Sequence, residues 1–164
     1  MIGDGSLINT IEQETYEIEH HLHNNEIWFG SGASEDSLTP YQITSGNNDF
    51  GTEVLILDTG DTPFRTGGML FFDIHRLKAV TIDETSLYLV RIIYGTGTVG
   101  EAETAKQYTT VPLQKILATG TAQTSPVPVM KKRNPVGTKI WCKIKNVTNG
   151  ATLDLIFGLH EYLR

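Results

Sequence analysis

The chain has 164 residues, 19 Asp and Glu against 13 Lys and Arg, a formal charge of −6 and a single cysteine, Cys142. That length suits one domain over 1–164 and leaves two full-sized domains cramped, while a lone cysteine excludes an intramolecular disulfide and a CxxC metal or redox motif. Thr, Ile and Val outnumber Ala heavily, which argues against a helical bundle, and no apolar run approaches the roughly 20 residues of a membrane-spanning helix.

In chain order, residues 1–14 read as an extended N-terminal arm, with no basic region before an apolar core and so no signal peptide. Residues 15–23 (TYEIEHHLH) alternate, with Tyr16, Ile18, His20 and Leu22 on one face and Glu17, Glu19, His21 and His23 on the other. This is the period-2 pattern of a half-buried strand. Asn24-Asn25 supplies a tight turn, and 26–29 returns before Gly30 and Gly32 break it. The polar stretch 30–50 reads as a long loop with one short strand at 41–44, and such loops often carry binding function.

Residues 52–58 (TEVLILD) form a continuous apolar run, expected of a strand covered on both faces. A long strand follows over 68–82, bent or broken near 76–79, and another over 85–94 ends at Gly95-Thr96-Gly97. Residues 101–106 offer one helical turn without visible caps. The extended stretches 107–117, interrupted by Pro112, and 127–132, flanked by Pro126 and Pro135, read as edges or bulges.

At the C-terminus, 138–148 and 151–162 flank Asn149-Gly150, a strong two-residue hairpin signal. Pairing outward sets Ile144 opposite Leu155, Cys142 opposite Phe157 and Ile140 opposite Leu159 on the core face. On the other face Lys145 meets Asp154 and Trp141 covers Gly158. About eight to ten strands with regular turn signals predict an all-β antiparallel sandwich of jelly-roll type, with a barrel as the alternative.

The net charge conceals a segregation. Residues 1–64 hold 12 acidic and no basic side chains, whereas 104–153 hold eight basic and no acidic ones. Within the latter, Lys131, Lys132, Arg133, Lys139, Lys143 and Lys145 make a basic stripe. Two surfaces of opposite sign would suit contacts between copies of the chain; strands interleaved in one body would cancel the pattern. Nucleic acid is not an expected partner, because the pI is near 5.3 and only Trp141 interleaves the stripe.

Candidate chemistry is sparse. His21 and His23 share a strand face, with Glu26 just past the turn, so two imidazoles and a carboxylate could ligate zinc or iron. The HxH, Glu26 and Gly30 resemble a fragment of the cupin metal-binding pattern, but the spacing to Glu26 is short. In the second cupin-like segment, Pro135-Val136-Gly137 is followed by Ile140 where a ligand histidine would stand. Asp73 and His75 form a carboxylate–histidine pair on one strand face, read as structural because no nucleophile-elbow Ser or Cys accompanies them. His20 and Cys142 belong to apolar faces. Asn146-Val147-Thr148 matches a glycosylation sequon by a short, frequent motif, and the glycines of GTGTVG precede no amphipathic helix that would favour phosphate. Trp28 and Phe29, beside the 30–50 loop, form a candidate aromatic platform for carbohydrate or a host surface.

The segments 21–30 (HLHNNEIWFG), 37–51 (SLTPYQITSGNNDFG) and 137–162 (GTKIWCKIKNVTNGATLDLIFGLHEY) resemble a family of small proteins in bacteriophage-like and environmental viral sequences. The resemblance implies a virion-associated β-sandwich protein and lends no catalytic residues. The expectation is therefore a non-enzymatic virion structural protein without a cofactor, such as a phage head decoration or accessory component. It would self-associate, with a trimer as one candidate state, and have a capsid protein as its other candidate partner. The alternatives are a cupin-like metal-binding protein and a carbohydrate- or host-surface-binding jelly-roll module.

Overall fold

The computed structural model describes residues 27–32, 39–58, 69–115, 125–130 and 133–163, and these form two β-sheets with one short helix among them. In chain order the strands are β1 (Ile27–Phe29), β2 (Tyr41–Thr44), β3 (Gly46–Asn47), β4 (Val54–Asp58), β5 (Met69–Ile82) and β6 (Tyr88–Gly95). Helix α1 (Val99–Thr104) precedes β7 (Tyr108–Leu113), β8 (Val127–Pro128), β9 (Asn134–Pro135), β10 (Lys139–Asn146) and β11 (Thr152–Leu163).

In the first sheet β11 lies between β5 on one side and β1 and β2 on the other, and β8 and β9 pair with the far side of β5. In the second, β10 lies between β6 and the pair β3 and β4, with β7 beyond β6. Every pairing is antiparallel except the short one of β3 with β10. One apolar cluster draws on both sheets, joining Phe29, Ile43, Phe72 and Phe157 of the first to Leu57, Tyr88, Ile92 and Ile144 of the second. Each large side chain fully removed from water contributes about 1.5–3 kcal/mol, so this shared core holds the sheets together.

The C-terminal hairpin is corrected by this topology. The turn over Asn149-Gly150 connects the two sheets: β10 pairs with β6, β4 and β3, whereas β11 pairs with β5, β1 and β2. A type I′ hairpin needs positive φ at both turn residues, and only Gly150, at φ 75°, has it. Ser45 at the β2–β3 junction holds the connection instead, taking a hydrogen bond from Gly150 N and giving one from its own N–H to Ala151 O. The core faces are as expected, since Ile140, Cys142, Ile144, Leu155, Phe157 and Leu159 all enter the shared cluster. Their alternation has the same period whether the strands lie side by side or stack across a core.

Two apolar irregularities are bulges. The register of β4 against β10 skips Ile56, so Ile56 and Leu57 both face the core while Leu55 is 47% exposed. The run 52–58 is thus not covered on both faces. Strand β5 continues unbroken to Ile82, but its register against β11 skips His75 and Val80, which bracket the expected bend. Gly51 is required by close approach, since a Cβ there would collide with Thr44 O. The helical turn starts earlier than expected and is capped: Thr98 Oγ1 accepts from Glu101 N while the Glu101 carboxylate accepts from Thr98 N. It lies on the outer face of the second sheet, where Ala102 and Val99 pack on Ile93 and Trp141.

Candidate functional site

Because Phe72 and Ile74 enter the core, Asp73 and His75 point to the outer face of the first sheet. Asp73 stands opposite His160 in the β5–β11 ladder, and the bulge makes His75 the extra residue beside them. A bulge re-aims a side chain. Here it stacks the His75 ring on that of His160, with centroids 4.0 Å apart and planes inclined by 17°.

Tyr162, the next outward residue of β11, donates its hydroxyl hydrogen to Asp73 Oδ2 at 2.7 Å and meets His160 edge-on. The Arg133 guanidinium lies 3.9 Å above the Tyr162 ring. Burial, helped by the bond to Asp73 and its charge, pushes the Tyr162 phenol up to about 12, so it remains a donor at neutral pH. Asp73 and His160 are both only 7% exposed, and His75 is half-buried. One ligand atom from each of Asp73, His75 and His160 lies within 4.8 Å of the other two. Two imidazoles and a carboxylate can shuttle protons or hold a cation.

The outer face of the second sheet carries ion pairs. Lys139, Trp141, Lys143 and Lys145 alternate with core residues along β10. Lys139 Nζ lies 3.3 Å from Asp58, and Lys143 Nζ lies 2.9 Å from Glu103 and 3.9 Å from Glu53. Glu103 also binds Arg91 Nη1 at 3.0 Å, and that guanidinium sits 3.9 Å from the Phe50 ring centroid and 4.2 Å from that of Tyr108. Burial raises the Glu103 carboxyl, but the hydrogen bonds from Lys143 and Arg91 outweigh it and hold the group below its ordinary value. A cavity of about 400 Å³ opens between the end of β6 and β9, with Lys106 and Arg133 among its lining residues.

These positions revise several expectations. Lys139 and Lys143 are committed to carboxylates of their own chain, so they do not form a free basic stripe; the acidic N-terminal segment and the basic segment interleave here. Arg133 is engaged with Tyr162, and Lys145 lies in register with Leu89 and Gly46. Phe29 is fully buried between Tyr41 and Phe157, which removes it from the aromatic platform. Trp28 is half-buried and faces outward opposite Gly158, the glycine expected beneath Trp141. Asn146 of the sequon is 1% exposed and uses its amide within the fold, binding Leu87 O and accepting from Ser86 and Thr148. Cys142 is fully buried and its thiol is pushed far up by desolvation, as expected of an inert core residue. His21, His23, Glu26, Lys131 and Lys132 lie outside the described residues.

His160 is the site residue the sequence reading missed. Its partner Asp73 is 87 positions away, and pairing β11 with β10 hid the contact. No protein-family model, curated protein or solved structure matches the chain.

Proposed function

We propose that this chain is a non-enzymatic jelly-roll protein of a virion, a head decoration or accessory component that self-associates. The carrying observation is the pairing pattern. With β1 and β2, and β8 and β9, each counted as one interrupted strand, and the two-residue parallel β3 set aside, eight remain, and each pairs with its mirror from the other end of the chain. The first pairs with the last (β1 and β2 with β11), the second with the seventh (β4 with β10), the third with the sixth (β5 with β8 and β9) and the fourth with the fifth (β6 with β7). An antiparallel ribbon rolled up on itself in this way is the jelly-roll plan, which recurs in viral capsids. The likeness of 21–30, 37–51 and 137–162 to phage-like proteins supports the virion setting.

The edges fit a protein that associates through its faces. Pro112 on β7, Pro128 on β8 and Pro135 on β9 withhold backbone donors from edge-to-edge pairing. Apolar side chains remain at one end of the first sheet, where Phe71 is 43% exposed opposite Pro135 and Val136 is 44% exposed. With Lys139 and Lys143 already paired internally, association should rest on apolar contact and persist in high salt. Size-exclusion chromatography with light scattering tests this. A defined oligomer at high micromolar concentration, unchanged between low and high salt, is expected; a monomer under both conditions overturns the self-associating structural role.

A further inference from the structure

We propose that Asp73, His75 and His160 form a binding site for one divalent transition-metal ion of the zinc class, clamping β5 to β11. The donor set is two imidazole nitrogens and a carboxylate oxygen, the ligand types that zinc and its borderline neighbours take. All three come from the two longest strands, whose register places Asp73 directly across from His160. The bulge at His75 is what brings the third ligand to the pair, since the β5–β11 register steps over His75 and leaves it on the outer face beside Asp73 and His160.

Tyr162 is a positioning residue for the site. Its hydroxyl holds Asp73 Oδ2 at 2.7 Å and so fixes the carboxylate's orientation, as outer-shell donors do around metal ligands. Zinc–ligand distances near 2.1 Å place neighbouring tetrahedral ligand atoms about 3.4 Å apart. The three ligand atoms lie within 4.8 Å of one another, and the half-buried His75, less enclosed than Asp73 and His160, is the member that would turn inward on binding. Rotation also relieves the parallel stack, whose ring nitrogens cannot converge on one ion while the planes stay 17° apart. Three protein ligands leave a fourth position for water.

The test is calorimetric titration of the metal-stripped full chain with Zn²⁺, paired with Co²⁺ absorption as a report of coordination geometry. The wild type should bind one Zn²⁺ per chain with a raised melting temperature, and Co²⁺ should give visible ligand-field bands. Asp73→Asn, which preserves shape, and His75→Ala, at a half-buried position, should each weaken binding tenfold or more. Tyr162→Phe should weaken it less and leave the stoichiometry intact. A His21→Ala/His23→Ala double variant should bind as the wild type does. The proposal is overturned by an absence of binding in the wild type at micromolar Zn²⁺. It is equally overturned by undiminished binding in His75→Ala, or by binding that is lost in the His21/His23 variant alone.

Discussion

The outer faces of the two sheets both carry ionisable side chains but settle them differently. On the second sheet, lysines and an arginine meet carboxylates brought from distant parts of the chain, and the paired side chains keep 15–43% of their exposure. On the first, Asp73 and His160 are nearly closed off and are organised by Tyr162, His75 and Arg133 through hydrogen bonding and ring contacts. Exposed pairs of the first kind are worth little individually, because water screens them. Polar groups as buried as those of the second kind must be satisfied closely, because each one left unsatisfied costs about 1–3 kcal/mol. The charge network therefore orders its side chains loosely, while the buried cluster fixes its own more tightly.

The largest effect on the contrast between the two outer faces is expected at Trp141. It is 8% exposed and forms, with Ile93 and Ala102, the small apolar island that seats α1 on the second sheet. Trp141→Ala should cost about 3 kcal/mol by analogy with large-to-small changes in cores. For a chain of this size that lowers the melting temperature by roughly 6–12 °C. Trp28→Ala, at the half-buried outward tryptophan of the first sheet, should cost clearly less in the same melt. Equal losses would mean that α1 adds no anchored layer and that the two outer faces are equivalent.

The all-β class, most strand positions and the core faces were legible because alternation with period 2 reports directly which side chains leave water. Partner choice was not. Asn149-Gly150 marks a turn, and Ile140, Cys142 and Ile144 do share one core with Leu155, Phe157 and Leu159, but from different sheets. A local turn signal cannot distinguish a hairpin from a connection between stacked sheets when both flanking strands have one apolar face. The same error concealed His160, whose significance appears only once β11 lies beside β5. Segregated charge along the chain gave no hint of segregation in space, because β4 and β10 bring Asp58 to Lys139. The cap of α1, by contrast, is legible in the sequence as Thr98-x-x-Glu101.

A smaller effect is expected at Glu103, where two charge-assisted bonds end on one carboxylate. Glu103→Gln should cost about 1–2 kcal/mol, above the range of single exposed pairs because both Lys143 and Arg91 lose their shared partner. Its pH dependence has a fixed sign. The folded carboxyl is held below its ordinary 4.5, so its contribution is complete above that value and disappears as pH falls through the lower folded one. Melting curves of wild type and variant should therefore be separated at neutral pH and converge in strong acid. A gap that widens on acidification would reverse the assignment of Glu103 as the stabilised anion.

The smallest effect falls on the cap that positions Glu103. Thr98 closes the first turn of α1 by accepting from Glu101 N, and Glu101 returns the contact to Thr98 N. Thr98→Ala should cost about 0.5–1 kcal/mol, and Thr98→Ser should restore most of it, because the hydroxyl rather than the methyl carries the bond. Hydrogen exchange over 99–104 should quicken in the alanine variant while the β5–β11 ladder keeps its protection. Acid should loosen the same turn even in the wild type. The backbone and side-chain hydrogen bonds with Thr98 hold the Glu101 carboxyl below its ordinary value, and that advantage is lost as pH falls through the lowered value. If exchange quickened equally on both sheets, the two outer faces would be coupled through the core. The helix would then be no separate layer, and the contrast between an open, screened charge network and a closed polar cluster would lose its structural basis.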